Sequence, residues 1–194
     1  MSLGAAAFAP SALSENLRIA TYEPIGDQVK APSGWVQFCR DWPSQCPAGM
    51  TAAQDIVMTA DSWKTIEDVN LTINRQIKPV TDKEHYDRSE YWTYPQNNEG
   101  DCEDYLLLKR RILMDKGFPQ AALLITVVAL SNGDGHAVLT VRTNRGDFVL
   151  DNLRNEVLPW TETGYRFVKR QTQTDPNIWT ALGNEANKAV AAAK

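Results

Sequence analysis

One cysteine lies where a helix is predicted to begin, in the segment Gly100-Asp101-Cys102-Glu103-Asp104. The free amide groups and the positive dipole end of a helix stabilise a thiolate, so Cys102 is a candidate nucleophile. Cysteine catalysis also needs a base that takes and returns the proton, and a group that orients this base. His136 and Asp151 follow on predicted strands. The candidate triad is therefore Cys102, His136 and Asp151.

Each member of this triad also has a purely structural interpretation. A single cysteine at a helix start is more often buried than catalytic, His136 can be an ordinary strand residue, and Asp151 can cap a turn. His85 is an alternative base, although it lies upstream in an acidic and aromatic stretch. The three residue types, in this order on a helix and two strands, favour the triad.

The acids around the cysteine oppose its ionisation. Asp101, Glu103 and Asp104 place up to three negative charges near the thiol, and like charge raises the pKa of a thiol. Asp101 and Asp104 also fit an N-cap and a capping-box-like pair, which is the structural alternative. A Ca²⁺ ion prefers oxygen ligands and would reverse the local sign of charge. A Ca²⁺ ion bound beside Cys102 would therefore offset the charges that oppose a thiolate.

Composition is that of an ordinary globular protein with one domain. The 194 residues are 43% hydrophobic and 23% charged, and the formal net charge is −4. No run of lysine and arginine stands out, so nucleic-acid binding is not expected. The longest apolar run, residues 121–130, is too short to span a membrane.

The other two cysteines, Cys39 and Cys46, are seven residues apart with Pro43 between them. This spacing favours a small disulfide-closed loop, and two free thiols are the alternative. Without a C-x-x-C pair, a structural zinc site is not expected. A disulfide implies an oxidising compartment, and a mature periplasmic or secreted chain is one interpretation of a start that lacks signal-peptide features.

Before the cysteine, the chain is predicted to form an arm, two helices and a loop. Residues 1–34 are rich in Ala, Pro, Ser and Gly and predict a loop-rich arm, followed by a single domain over residues 35–194. Apolar residues at three- and four-residue steps predict a helix over residues 61–77, capped at its first or second residue, after a short helix at 51–55. Residues 79–100 lack a period, and we expect them to form a cleft wall; a plain surface loop is the alternative.

After the loop, one helix and several strands are predicted. The helix runs from Cys102 to about Lys116, with Lys109 and Arg110 facing mostly outward and Gly117 at the C′ position. Strands are expected over residues 121–130, 136–143, 147–152 and 165–168, and a helix is expected to start within residues 175–182. The Ala-rich tail that runs to Lys194 is expected to be a frayed or helical end.

The register of one hairpin decides whether the base meets the acid. If the chain turns through residues 144–145, Asp151 faces Val138 and lies diagonally adjacent to His136 on the same sheet face. A slip of one residue would move Asp151 to the opposite face. The sequence permits the useful register without requiring it.

Amide and side-chain donors near the cysteine are candidates for an oxyanion hole. The backbone N–H of Cys102 is the first, and the second is open among Trp92, Gln96 and Asn97.

Together these motifs resemble a known family. Gly100-Asp-Cys-Glu-Asp104 at a helix start, Gly135-His-Ala-Val138 on a strand and Leu150-Asp-Asn152 on the next strand are similar to the transglutaminase-like cysteine peptidases of bacteria, and within them to the periplasmic LapG protease family. Trp92 with Pro95, and the segment from Trp35 to Cys46, add to a resemblance that covers roughly residues 30–170.

The resemblance implies an α+β fold with a papain-like or transglutaminase-like core, in which the nucleophile helix packs on an antiparallel sheet. It implies that Cys102 is the nucleophile, His136 the base and Asp151 the orienting acid of a calcium-dependent hydrolase. It also implies that acids flanking the cysteine bind the Ca²⁺ ion, here Asp101 and Glu103, with Asp104 as a further candidate ligand. It also implies a periplasmic protein substrate such as a large biofilm adhesin, and control by a membrane receptor that binds cyclic di-GMP. The stretch between Trp92 and Cys102 is short for the family, which predicts a different substrate groove.

A cysteine endopeptidase is therefore the leading interpretation of the sequence. Acyl transfer or amide hydrolysis on a small or cell-wall substrate uses the same triad and is the alternative enzyme. A binding module that keeps the fold without turnover is the alternative from another class.

Overall fold

The computed structural model describes residues 18–49 and 51–183. The helices lie before residue 116 and a run of six strands follows them, with turns and short 3₁₀ segments as connections. In chain order they are β1 (Ile25–Val29), α1 (Ser33–Asp41), α2 (Ala60–Gln76), β2 (Lys78–Pro79), α3 (Asp82–Tyr86), β3 (Glu99–Gly100), α4 (Cys102–Asp115), β4 (Leu123–Ala129), β5 (Gly135–Thr143), β6 (Gly146–Leu150), β7 (Leu158–Pro159), β8 (Arg166–Gln171) and β9 (Trp179–Leu182).

Seven of the strands form one sheet in the order β1-β9-β8-β4-β5-β6-β7, and every pairing in it is antiparallel. Helix α4 packs against β5 on one side and against α2 on the other. The predicted α+β architecture, a helix that begins with the cysteine and lies on an antiparallel sheet, is confirmed.

Helix α2 forms where its apolar period predicts, with Ile66, Val69 and Ile73 buried. Its N-cap is Thr59 rather than the first or second residue of the predicted helix. Thr59 accepts a hydrogen bond from the backbone of Ser62, whose side chain accepts one from the backbone of Thr59. This reciprocal capping box moves the start of the helix to Ala60.

The short helix predicted at 51–55 is wrong, because this segment finds its backbone partners elsewhere. Thr51 N donates to Thr174 O at 2.8 Å and Ile56 N donates to Arg142 O at 3.0 Å. Ile56 also forms an isolated parallel bridge to Thr143. Pairing with distant chain outweighs the weak local preference for a helix.

The helix expected to start within residues 175–182 is also wrong. Asp175 Oδ1 accepts from Asn177 N at 2.8 Å, so the aspartate forms a turn instead of capping a helix. The chain then enters β9, which pairs with β8 and β1 and buries Trp179 completely. Residues 184–194, where a frayed or helical end was predicted, lie outside the described residues.

Part of the predicted arm is a strand. Within residues 1–34, β1 pairs with β9 at one edge of the sheet, while residues 1–17 lie outside the described residues. Because an edge strand buries little, β1 lacks the alternation on which a strand prediction depends.

Helix α1 is closed at its end by the disulfide predicted from spacing. Cys39 and Cys46 are bonded, with Cα atoms 5.6 Å apart. On the same helix Trp35 is buried, with ring centroids 6.5 Å from both Trp92 and Trp179. This aromatic cluster joins α1 to the loop before α4 and to the sheet.

Two cations of α4 do not face outward as predicted. Lys109 is 1% exposed and donates to Asn70 Oδ1 at 2.8 Å, while Arg110 is 2% exposed and donates through Nε to Leu123 O at 3.1 Å. Packing on both α2 and the sheet covers these positions, which a single amphipathic stripe does not reveal. The helix ends as predicted, with Gly117 at a φ of 89°.

Within the described residues, no helix has the length and apolar character needed to cross a membrane.

Candidate active site

Cys102 is the first residue of α4 and is partly exposed. Its thiol donates a hydrogen bond to Glu103 Oε2 at 2.9 Å. The backbone amide of Ala137, the residue after His136 on β5, faces the sulfur and favours its ionised form. The packing of α4 on β5 therefore brings the sulfur beside the strand that carries the histidine.

The other two candidate residues are in direct contact. In the β5–β6 hairpin Thr143 pairs with Gly146 and Leu139 with Leu150, which is the predicted useful register. Asp151 follows the last pair, and its Oδ1 lies 2.9 Å from His136 Nε2. Both side chains are buried, so solvent does not compete for this contact.

The charge state of Asp151 determines which nitrogen of His136 carries the proton. Burial opposes ionisation of Asp151, but hydrogen bonds from His136 and Tyr165 outweigh it and hold the pKa of the carboxyl below its ordinary value. An ionised carboxylate can only accept, so His136 Nε2 is the donor. In neutral histidine this leaves Nδ1 as an acceptor for a proton from another group.

The surroundings of Cys102 keep its thiol protonated. Burial raises the pKa of Cys102 well above its ordinary value, and the charges of Glu103 and Asp101 raise it further. The predicted conflict between the acids and a thiolate is present in the structure, although burial is its larger cause.

A cleft of about 450 Å³ opens beside His136 and beside Asp101 and Glu103, the neighbours of Cys102. Its walls come from β4, β5 and β8, from the chain after β1, and from the loop that precedes α4. The lining side chains and backbone belong to Ala31, Pro32, Ser33, Asp82, Ser89, Glu90, Trp92, Asp101, Glu103, Val127, Gly135, His136, Ala137 and Lys169. Residues 79–100 thus contribute to the cleft wall as predicted, through Asp82, Ser89, Glu90 and Trp92. They are not a loop throughout, because α3 lies within them, and Trp92 is the aromatic residue of this stretch that lines the cleft.

Of the three side chains predicted as second oxyanion donors, Trp92 lines this cleft. Its indole N–H donates to Glu90 Oε1 at 3.0 Å. The ring is held closely against Gly34, where an added Cβ would lie 2.2 Å from the indole. Gln96 and Asn97 belong instead to a turn that Gln96 closes by bridging to Glu99.

A pair of two-residue strands brings three aspartates together. β2 and β3 pair in parallel, with Pro79 opposite Gly100, so the starts of α3 and α4 lie side by side. Asp82, Asp101 and Asp104 each place one carboxylate oxygen within 4.8 Å of the others. These three residues are called the acidic cluster below.

The hydrogen bonds of the acidic cluster leave oxygens free. Asp82 Oδ2 accepts from Tyr91 N, and Asp104 Oδ1 accepts from Thr93 N at 3.1 Å. Asp101 Oδ1 and Asp104 Oδ2 are buried without a hydrogen-bond partner. A side chain at position 100 would collide with Asp104 Oδ2, only 2.6 Å from a Cβ there.

The charges of the acidic cluster repel one another. Burial first, and then the charge of Asp101, raises the pKa of Asp82 to about 6 and that of Asp104 to about 8. Burial and the charge of Glu103 raise the pKa of Asp101 to about 7. Hard, unpartnered carboxylate oxygens at this separation fit the ligand chemistry of Ca²⁺.

The cluster contains two of the three predicted metal ligands. Asp101 and Asp104 belong to the cluster, but Glu103 instead accepts a hydrogen bond from the Cys102 thiol. The third carboxylate of the cluster comes from Asp82. Asp82 has no sequence signal for this role, because in the chain it is an ordinary residue in the first turn of α3. The contact depends on the β2–β3 pairing, which is too short to predict.

Asp101 and Asp104 do not cap helix α4 through their side chains, which was the structural alternative for them. Asp101 is the N-cap residue of α4, yet its side chain makes no capping hydrogen bond. Asp104 turns toward Thr93 instead.

His85, the alternative base, stacks on Tyr86 with centroids 4.2 Å apart. The sequence does not reveal one further contact of the site. Tyr165, the residue before β8, donates a hydrogen bond to Asp151 Oδ2.

Comparison with known proteins gives a match to a family and to solved structures. Residues 25–187 match the family described as Bacterial transglutaminase-like cysteine proteinase BTLCP. Calcium-bound LapG of Legionella pneumophila is 22% identical with a TM-score of 0.54, over 69% of this chain and 81% of LapG. The EGTA-treated form is 25% identical with a TM-score of 0.52, over 66% and 74%. No curated protein matches the sequence.

Proposed function

The chain belongs to the family of bacterial transglutaminase-like cysteine proteinases, and from this we propose that it is a calcium-dependent endopeptidase using Cys102, His136 and Asp151. Cysteine peptidase chemistry follows from the family. The assignment of roles is carried by one observation, the buried hydrogen bond between His136 and Asp151 beside the helix that begins with Cys102.

In the proposed reaction the Cys102 sulfur attacks a peptide carbonyl carbon while its proton passes to His136 Nδ1. The carbon–nitrogen bond then breaks, and the amine leaves with the proton from His136. Water attacks the thioester that remains, releases the acid and returns a proton to the sulfur. Asp151 holds the imidazole in the tautomer with the proton on Nε2, and it stabilises the imidazolium that forms.

The backbone N–H of Cys102, at the open start of α4, is the proposed first oxyanion donor. We assign the second donor to the indole N–H of Trp92, because Trp92 lines the cleft and is the predicted donor that does so. This N–H now donates to Glu90, so the assignment requires it to change partner when substrate binds.

Asp82, Asp101 and Asp104 are the proposed residues that hold Ca²⁺. A bound cation would supply positive charge beside Cys102 and lower the pKa of its thiol. Two buried oxygens without partners support this site, as do the solved structures of LapG in calcium-bound and EGTA-treated forms. Glu103 remains a candidate ligand that would have to leave the thiol.

We infer a protein substrate outside the cytoplasm. The Cys39–Cys46 disulfide supports an oxidising compartment such as the periplasm. A surface adhesin as substrate and a cyclic di-GMP receptor as regulator rest on the family resemblance, and the short stretch before Cys102 calls for testing extended peptides without assuming an adhesin.

Digestion of a peptide library, read by mass spectrometry of new amino termini, tests the function. Wild-type protein with Ca²⁺ is expected to cleave, and Cys102→Ala to give no cleavage. His136→Ala is expected to lose about 10²- to 10⁴-fold in rate, the contribution of a general base. His85→Ala is the matched control, since the chain has two histidines. Equal activity of Cys102→Ala and wild type would refute the proposal.

A further inference from the structure

Tyr165 contacts both members of the His136–Asp151 pair. Its hydroxyl donates a hydrogen bond of 2.5 Å to Asp151 Oδ2. The other oxygen, Oδ1, accepts from His136 Nε2 at 2.9 Å and from Leu153 N at 3.0 Å. The ring of Tyr165 meets the imidazole edge to face, with centroids 5.8 Å apart. One side chain therefore contacts the acid through its hydroxyl and the base through its ring.

The turn before β8 determines where Tyr165 lies. Gly164 has a φ of 75°, in the left-handed region that favours glycine. Thr163 Oγ1 accepts from Tyr165 N at 3.3 Å and donates to Trp160 O at 2.9 Å. The backbone at Tyr165 is thus held by short-range bonds that do not involve the His136–Asp151 pair.

Tyr165 also lines a second cleft. That cleft, about 430 Å³, is lined by Tyr165 together with Leu153 and Arg154. Leu153 is 57% exposed, whereas His136 and Asp151 are 6% and 2% exposed. Tyr165 therefore contacts the buried pair and also lines the second cleft.

The hydroxyl of Tyr165 stays a donor at neutral pH. Burial first, and then its hydrogen bond to Asp151, raises the pKa of Tyr165 to about 12. Donation to an ionised carboxylate is stronger than donation to a neutral acceptor. The Tyr165 bond is therefore able to fix the rotation of the Asp151 carboxylate.

We propose that Tyr165 is a positioning residue for the peptidase reaction, because its hydroxyl holds Asp151 in the orientation that binds His136 Nε2. The inference rests on the proposed function, in which His136 Nδ1 exchanges a proton with Cys102. Without the hydroxyl, Asp151 Oδ2 loses its donor and the carboxylate is free to turn. His136 then loses the constraint on its tautomer and its ring orientation.

Tyr165→Phe removes the hydroxyl and keeps the ring. We expect kcat for peptide hydrolysis to fall about ten-fold, as for loss of one hydrogen bond to a charged group, with KM changed less than about two-fold. In a Cys102→Ala background, NMR is expected to show about ten-fold faster hydrogen exchange at His136 Nε2, since the same bond is lost. Tyr22→Phe is the matched control, because the Tyr22 hydroxyl donates to Thr143 O at 3.0 Å.

Loss of kcat together with faster exchange, in Tyr165→Phe and not in Tyr22→Phe, supports the proposal. Unchanged exchange, unchanged kcat or an effect on KM alone overturns it. If wild-type protein cleaves no peptide, the proposed function fails, and the role of Tyr165 is then decided by the Nε2–H exchange and by the rate at which iodoacetamide alkylates Cys102, the free cysteine of the chain.

Discussion

Two groups of buried acids in this protein have opposite surroundings. Asp147 is completely buried, and its Oδ2 accepts from Arg170 Nη1 at 2.7 Å and from Glu23 N at 3.0 Å. In the acidic cluster, three carboxylates each place an oxygen within 4.8 Å of the others, but no lysine or arginine of the described ranges pairs with them. The chain supplies its own cation to one group and none to the other.

The difference separates a structural role from a binding role. A buried carboxylate with a paired cation contributes to a fixed fold, whereas unpaired carboxylates raise the free energy of the folded state until a cation arrives from solution. Asp147 and Arg170 join β6 to β8 across the sheet. The acidic cluster lies beside the cysteine, where an added positive charge changes the chemistry of the thiol.

Breaking the paired group should have the largest effect on stability. In Asp147→Asn the buried Arg170 loses its nearest charge partner, and we expect the free energy of unfolding to fall by about 3–5 kcal/mol. Urea denaturation measures it. Asp55→Asn is the control, because Asp55 pairs with Arg142 at 3.1 Å in a partly exposed position and should cost less than about 1 kcal/mol. Equal losses in both variants would contradict the structural role.

Calcium should act on the acidic cluster alone. At a concentration 100 times its dissociation constant, Ca²⁺ is expected to stabilise the wild-type protein by about 2.7 kcal/mol, reversed by EGTA. Asp104→Asn should abolish this gain, and in EGTA it should be at least as stable as wild type because repulsion is relieved.

Asp68→Asn, which alters an exposed carboxylate paired with Lys64, should keep the full calcium response. Thermal denaturation with and without Ca²⁺ measures the calcium-dependent stabilisation of wild-type protein, Asp104→Asn and Asp68→Asn. A calcium gain that survives in Asp104→Asn would remove the ion from this cluster.

An effect of pH is expected at Glu23, whose Oε2 lies 4.0 Å from Nη1 of Arg170, the cation paired with Asp147. Burial raises the pKa of Glu23 from 4.5 to about 8, against the opposing charge of Arg170. The folded state binds this proton more tightly than the unfolded state does. The contribution of the protonated Glu23 to stability is therefore complete below the unfolded-state pKa of 4.5, and it is lost as pH rises through the folded-state pKa of about 8.

Glu23→Gln mimics the protonated side chain and should remove this loss. Between about pH 5 and about pH 9, wild-type protein is expected to lose stability that the variant keeps. Urea denaturation in EGTA at several pH values provides the measurement. Parallel pH profiles for the two proteins would show that Glu23 does not titrate in this range.

The parts of the fold that follow from the sequence are those with a strong local signal. Helix α2 has an apolar stripe, β5 alternates, and Gly117 marks the end of α4. Edge strand β1 and strand β9 were not predicted, because their residues reveal a strand only through their partners. The prediction that Lys109 faces outward is wrong for the same reason, because its burial depends on α2 and the sheet, which both cover it.

For the candidate site, the sequence identified the residue types and their order. It placed Cys102 at a helix start and His136 on a strand, and it predicted the conflict between a thiolate and the neighbouring acids. It left open the hairpin register that joins His136 to Asp151. It did not reveal Tyr165, whose contact with Asp151 links two parts of the chain that share no local pattern.

The chemistry available to this protein was thus readable from its residues, because helix starts, alternating strands and cysteine spacing are local properties of a chain. The partners of that chemistry were decided by tertiary structure. A two-residue strand pair adds Asp82 to the acidic cluster, and a glycine turn sets Tyr165 against Asp151. Such contacts depend on how distant segments pack in space, and local patterns along a chain do not reveal them.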